Sequence, residues 1–228
     1  MAFSDRGTSA LIAGSQELML KVNVNNGEVI QEIATSSKYM MMRQWRSYIC
    51  AATDTGSVDI LDSETLNVRK QWDAHSSQVA DMDAKNDFLI TCGWTVRSHG
   101  GPAPEPIAKV FNLRNMEQFP PISFPVGASF VQIHPKLHST CVVGSRNGQL
   151  QVIDITIPDA PANIRYMLTH IDTLIMSPSG NVWLMADDQN TLHLLGASDK
   201  LGFNDNSEPT EFAAPSEPKT FVPLDSDE

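Results

Sequence analysis

Six histidines, three cysteines and a C-terminal run of carboxylates are the residues of this 228-residue chain whose types suggest chemistry. His134 and His138 are four apart, with Cys141 close behind. On a helix that spacing would turn both rings to one face, as zinc ligation requires. Pro135 and the surrounding pattern instead place His134 at a strand end and His138 in a turn, so a metal site is not expected. Asp225-Ser226-Asp227-Glu228 offers three carboxylates, the kind of group that holds divalent metals. Two-metal chemistry needs such groups held on a rigid scaffold, and a terminal acidic run reads as a solvated tail. His99 lies in a Gly/Pro-rich loop and His193 in an apolar strand. Neither has an obvious carboxylate or nucleophile partner in the sequence. The chain contains no phosphate-cradling glycine loop, no Gly-x-Ser-x-Gly elbow and no paired-cysteine zinc pattern. Cys50, Cys92 and Cys141 form an odd, sparse set, which predicts reduced thiols buried in strands rather than a disulfide framework. No catalytic, cofactor or metal residue is therefore expected.

The element that positions everything else is Tyr48–His75, which reads as three short strands in a row. Tyr48–Thr53 is the first, Val58–Leu61 the second and Leu66–Trp72 the third, with turns at Asp54-Thr55-Gly56 and Asp62–Thr65. The turn-plus-strand core beginning at Asp54 recurs from Arg146 and again from Asp188. A fourth copy, Ala108–Asn112, follows a longer loop, and a looser first copy lies in Leu18–Asn26. Units start about 40 to 50 residues apart, the period of a four-stranded propeller blade. Tyr39–Trp45, Gln78–Ala84, Ala128–His134 and Ile171–Ser177 open successive units. About five units are recognisable, the first incomplete. Trp94–Pro106 replaces a tight turn, and its glycines and prolines are expected to exclude a strand ladder there. Pro120-Pro121 requires an outermost strand. His75, in Trp-Asp-Ala-His, occupies the place of the WD-repeat Gly-His dipeptide, a hydrogen-bonded structural role. The inner-strand positions read as mostly apolar or small, which argues against a propeller enzyme.

Hydrophobic residues make up 41% of the chain and charged ones 19%, a composition that permits a large all-β core. Of the net charge of −11, residues 199–228 carry a large part, with eight acidic and two basic residues. This is not the basic footprint of a nucleic-acid binder. No apolar run reaches membrane-spanning length and the N-terminus lacks a signal pattern, so the chain reads as soluble and intracellular. The expected organisation is a partial WD-repeat β-propeller over 1–198 and an irregular acidic, Pro/Ser-rich linker over 199–228.

Several runs together resemble the WD-repeat region of the catalytic subunit of the Pan poly(A)-nuclease deadenylation complex, in a fungal-like form. They are Arg46–Thr53, Trp72–Ser76, Asp81–Ala84, Asp87-Phe88 with Thr91–Gly93, Val110–Met116, Pro120–Pro125, His134-Pro135 and Glu211–Ala213. The resemblance covers nearly the whole chain. It implies about four to five blades of a family seven-bladed propeller, followed by a linker grasped by a pseudokinase-like regulatory subunit. It implies cytoplasmic trimming of poly(A) tails guided by poly(A)-binding protein, with processing bodies as a further location. The family's nuclease uses magnesium in a later domain, none of whose positions occurs here. The chain itself is expected to be non-enzymatic, a scaffold without small-molecule ligand, cofactor or membrane partner. The first blades are expected to be absent, leaving an open arc prone to association. The insertion is the expected contact surface, with Trp94, Arg97 and His99 as anchors by residue type. A standalone propeller adaptor in another assembly is the alternative.

Overall fold

The computed structural model describes residues 1–4, 7–96, 100–157, 163–166 and 170–196. The expected linker at 199–228 lies outside the described residues. Five antiparallel sheets follow one another along the chain. Sheet I contains β1 (Ala2–Ser4), β2 (Ser9–Ala13), β3 (Leu18–Asn23) and β4 (Val29–Ala34). Sheet II contains β5 (Tyr39–Trp45), β6 (Tyr48–Thr53), β7 (Val58–Asp62) and β8 (Val68–Trp72). Sheet III contains β9 (Val79–Lys85), β10 (Phe88–Val96), β11 (Pro102–Pro104), β12 (Ile107–Asn112) and β13 (Glu117–Ser123). Sheet IV contains β14 (Phe130–Ile133), β15 (Thr140–Gly144), β16 (Gln149–Asp154) and β17 (Asn163–Tyr166). Sheet V contains β18 (Ile171–Met176), β19 (Val182–Asp187) and β20 (Leu192–Gly196). Apart from β11, each strand pairs with the next strand of its sheet, as in propeller blades. Among the described residues no helix is long and apolar enough to cross a membrane.

The cores lie between sheets, which explains why the second strand of a blade reads as a continuous apolar run. Ile49 and Ala51 face sheet I with Leu11 and Met19, whereas Cys50 and Ala52 face sheet III with Met82 and Phe111. Ile90 and Cys92 in turn face sheet IV, packing with Val131 and Val143. The three cysteines sit one each in β6, β10 and β15, buried and free, as expected. Burial pushes the Cys50 and Cys141 thiols up to about 12, which makes them inert as nucleophiles at neutral pH.

Four expectations need correction. The first unit is complete, because Ala2–Ser4 pairs with Ser9–Leu11 as an innermost strand. Leu66 belongs to the turn rather than to the third strand. Its φ is +59°, its N–H donates to Asp62 O at 2.8 Å, and its side chain fills the core between sheets I and II.

The insertion does form a ladder. β10 runs on to Val96, and Trp94, Thr95 and Val96 pair with Pro104, Ala103 and Pro102. Backbone groups alternate sides along a strand, and Glu105 N–H donates to Gly93 O at 2.9 Å. Ala103 therefore shares the paired side with Glu105, and the nitrogens of Pro102 and Pro104 face the free edge, where no donor is needed. The fourth correction concerns His193, which has a carboxylate partner and is described with the site. Pro120 and Pro121 do lie in an outermost strand, β13, opposite a register shift between Ala108 and Val110.

Candidate functional site

Within each blade, the turn after the second strand and the loop after the fourth share one end, called here the upper end. His75 N–H donates to Gly56 O at 2.8 Å, and Ile171 N–H to Arg146 O at 2.8 Å. His75 is buried at this end. Burial holds its pKa below the ordinary histidine value, despite the opposing Glu105 carboxylate. The neutral ring donates from Nδ1 to Glu105 Oε2 at 2.8 Å and accepts the Thr91 hydroxyl at Nε2, 2.9 Å away. Gly93 leaves room for it, since a Cβ there would overlap the imidazole. This is the structural role expected of His75.

Glu105 closes the insertion and ties three segments together. Its carboxylate also accepts Ser76 N–H at 3.4 Å and Ser76 Oγ–H at 3.5 Å, and its carbonyl accepts Ala128 N–H at 2.9 Å. Ser76 Oγ further donates to Thr95 Oγ1 at 3.2 Å. On the other side Pro104 packs on Gly127, where a Cβ would lie 2.8 Å from the Pro104 Cβ. The base of the insertion is therefore a braced hairpin rather than a free loop.

Trp94 and Val96 share one face of that hairpin with Pro102 and Pro104. Trp94 lines a cavity of about 350 Å³ among the inner strands, with Arg43, Asp81, Ser129, Arg146 and Asp172 also in its wall. Sequence reading placed mostly apolar or small residues on the inner strands, and Ala80, Ser129, Phe130, Thr173, Leu174 and Ile175 do line this cavity beside the charged ones. The four charged residues were not singled out because the core-facing positions of the inner strands carry the apolar signal, while those facing the cavity are free to be polar. Arg43 Nη1 donates to Met42 O at 3.1 Å, and its Nη2 lies 3.9 Å from Asp81 Oδ1. Asp81 accepts Val131 N–H at 3.0 Å, and Asp83 accepts Ile133 N–H at 2.8 Å, so two carboxylates of β9 clasp β14. The side chain of Arg146 is exposed and makes no hydrogen bond or ion pair among the described residues.

Burial pushes Asp81 up to about 6, against the pull of the Val131 and Met82 N–H groups and Arg43. Its folded pKa exceeds its unfolded value, so its contribution is greatest below about pH 4 and is lost as pH rises through about 6. Relative to wild type, Asp81→Asn is therefore expected to abolish a fall of roughly 3 kcal/mol in unfolding free energy over that window. Urea unfolding at pH 4 and pH 7 checks this. Equal pH slopes in the two proteins would contradict it.

The other candidates are structural. His134 Nδ1 accepts the N–H groups of Lys136 and Leu137 at 3.1 and 2.9 Å, which shapes the turn that Pro135 begins. His138 stands edge-on to Phe88 at 5.7 Å. His193 does have a carboxylate partner, contrary to expectation. Its Nε2 lies 2.7 Å from Asp187 Oδ2, while Asp187 Oδ1 accepts the Gln189 and Thr191 N–H groups at 2.9 and 2.8 Å. The pair spans one hairpin, so Asp187 and His193 fasten its turn. Among the described residues no cluster of three or more His, Cys, Asp or Glu could hold a metal ion.

Of the three expected anchors, Trp94 lines the cavity. Arg97 and His99 lie outside the described residues. Sequence reading missed Glu105 and Arg146. Arg146 carried a usable signal, because it stands where the aligned copies have Asp54 and Asp188. Glu105 was masked by its proline-rich surroundings.

A family model described as PAN2 N-terminal matches residues 2–195. The catalytic subunit PAN2 of the PAN2-PAN3 deadenylation complex of Phaeosphaeria nodorum is 42% identical over 217 residues, covering 93% of this chain. The corresponding subunit of Aspergillus oryzae is likewise 42% identical over 217 residues and 93% of this chain. The chain spans 19% and 18% of the lengths of those two relatives. The solved WD40 domain of Neurospora crassa Pan2 matches with a TM-score of 0.81 at 35% identity, over 88% of this chain and 63% of that one.

Proposed function

The chain belongs to the PAN2 N-terminal family, and from that premise we propose that it is a protein-binding propeller module of a poly(A) deadenylase, without nuclease chemistry of its own. The observation that carries this reading is the braced hairpin. Glu105, Ser76 and Gly127 fix its base, and it presents Trp94 to the cavity among the inner strands and leaves Val96 exposed. Rigid scaffolds that hold out an aromatic anchor are built for partner contact. The titratable groups with strong local partners, His75, Asp83, Asp187 and His193, are all spent on holding strands and turns. The partner is a pseudokinase-like regulatory subunit of the PAN3 kind. Poly(A)-binding protein on the message is reached through the assembly, and the setting is cytoplasmic tail shortening.

Two results test this. The full chain with magnesium is expected to leave oligo(A) intact, and EDTA-sensitive shortening would overturn the non-enzymatic reading. The chain is also expected to co-purify with the regulatory subunit. Joint replacement of Trp94, Arg97 and His99 by alanine should weaken that association. Unchanged binding would remove the insertion as the contact.

A further inference from the structure

We propose that the outer groove between sheets IV and V is a docking site for an extended segment of a partner protein, one that carries an acidic residue next to an apolar one. This rests on the chain's reading as a partner-binding module, but on none of the hairpin residues. Two other blade interfaces are filled out to their fourth strands. Trp72 of β8 is buried between sheets II and III, and Ile122 of β13 between sheets III and IV. Between sheets IV and V, Leu150, Leu174 and Met185 are buried in the same way. The fourth strand does not complete this interface, because β17 brings Asn163 and Arg165 there and both are exposed. A second cavity, of about 360 Å³, is the result. Val152, Asn163 and Arg165 of sheet IV wall it on one side, and Asn181, Trp183 and Leu195 of sheet V on the other. Asn181 lies in the turn after the first strand of its sheet, so the groove opens at the end of the blades opposite the braced hairpin.

The lining fits an extended acidic segment. Val152, Trp183 and Leu195 are half-buried and form an apolar floor. Around it stand the Arg165 guanidinium and the carboxamides of Asn163 and Asn181, which make no hydrogen bond or ion pair among the described residues. All three are exposed, so an incoming group reaches them. A carboxamide presents an acceptor beside a donor, the complement of a peptide unit, which suits Asn163 and Asn181 to extended backbone. Arg165 is the one charged residue in the lining, and its planar fork suits a carboxylate. The apolar side chain next to that carboxylate packs on Trp183. The volume is near the bottom of the range of ligand pockets, about 300–1,000 Å³, and admits a few side chains rather than a folded face. Charge decides against a nucleic-acid strand. Successive phosphates need several cations, whereas the groove offers one and the chain carries a net charge of −11.

The test is selection of linear peptides from a phage-displayed library on the full chain, followed by binding isotherms of the selected peptides. Enriched peptides are expected to pair Asp or Glu with a neighbouring Leu, Ile or aromatic residue. Arg165→Glu should weaken them roughly tenfold to a hundredfold, and Asn181→Asp should also weaken them. Arg146→Glu, in the cavity among the inner strands, should leave them unchanged. Because the Arg165 and Asn181 side chains have no intramolecular partner among the described residues, both variant chains should melt with wild type, which separates a lost contact from a lost fold. The proposal is overturned if no peptide enriches, if the enriched peptides bind Arg165→Glu as well as wild type, or if oligo(A) displaces them. It is also overturned if Arg165→Glu changes the chain's own elution volume in size-exclusion chromatography, which would put a second copy in the groove. Co-purification of the regulatory subunit with the Trp94, Arg97 and His99 variant bears on the hairpin alone, so the two readings fail separately.

Discussion

Gly56→Ala is expected to destabilise the chain by about 3–5 kcal/mol, close to the whole stability of many domains. Two costs add. Gly56 has φ +95°, a left-handed conformation that costs an alanine about 1 kcal/mol. The new Cβ would also overlap the carbonyl oxygens of Ser77 and His75, which are backbone atoms and cannot swing aside. Relief would require moving the 73–78 loop, which carries His75 and with it the Glu105 tie. Gly27→Ala is the internal control. It has φ +74° and nothing within 4 Å of its would-be Cβ, so only the conformational cost of about 1 kcal/mol remains. Urea unfolding followed by tryptophan fluorescence measures both. Equal losses would show that the packing of the turn against the loop is irrelevant.

Glu105→Ala is expected to cost roughly 3 kcal/mol. The variant leaves the His75 Nδ1–H buried without an acceptor and removes the acceptor of Ser76 N–H. The brace that orients the Trp94 hairpin then rests on backbone bonds to Gly93 and Ala128, the Ser76–Thr95 hydroxyl pair and the packing of Pro104 on Gly127. The pH dependence carries the signature. His75 has a folded pKa below its ordinary value, so the unfolded state takes up the proton first. Stability is therefore lost as pH falls through about 6.5. Glu105 is what opposes that depression, so its removal should steepen the loss. Glu105→Gln keeps an acceptor at the same place and should recover part of the stability. A Glu105→Ala chain with wild-type stability and an unchanged acid limb would show that the tie contributes nothing.

The blade architecture was legible because propellers repeat. Each blade needs a tight turn followed by a strand with buried faces, so Gly56 and Gly148, at φ +95° and +88°, mark equivalent turns. Asn190 does the same work at φ +59° in sheet V, which is why that copy reads more weakly. The structural role of His75 was equally plain from its place before the next blade. Pairing that depends on backbone alternation was not legible. Proline content alone says nothing about which edge its nitrogen faces, so the Pro102–Pro104 strand was read as loop.

The sequence alone determined the all-β class, the blade period, the buried reduced cysteines and the family to which the chain belongs. Each of these follows from local patterns of apolar residues and turn formers, or from runs of neighbouring residues. The tertiary structure alone decided what lines the cavity among the inner strands. Arg43, Asp81, Trp94, Arg146 and Asp172 come from four different sheets, and their meeting follows from the packing of sheet against sheet. The partner of His75 lies 30 residues further along the chain. No local pattern encodes contacts of that range, because they are set by how each blade stacks on the next.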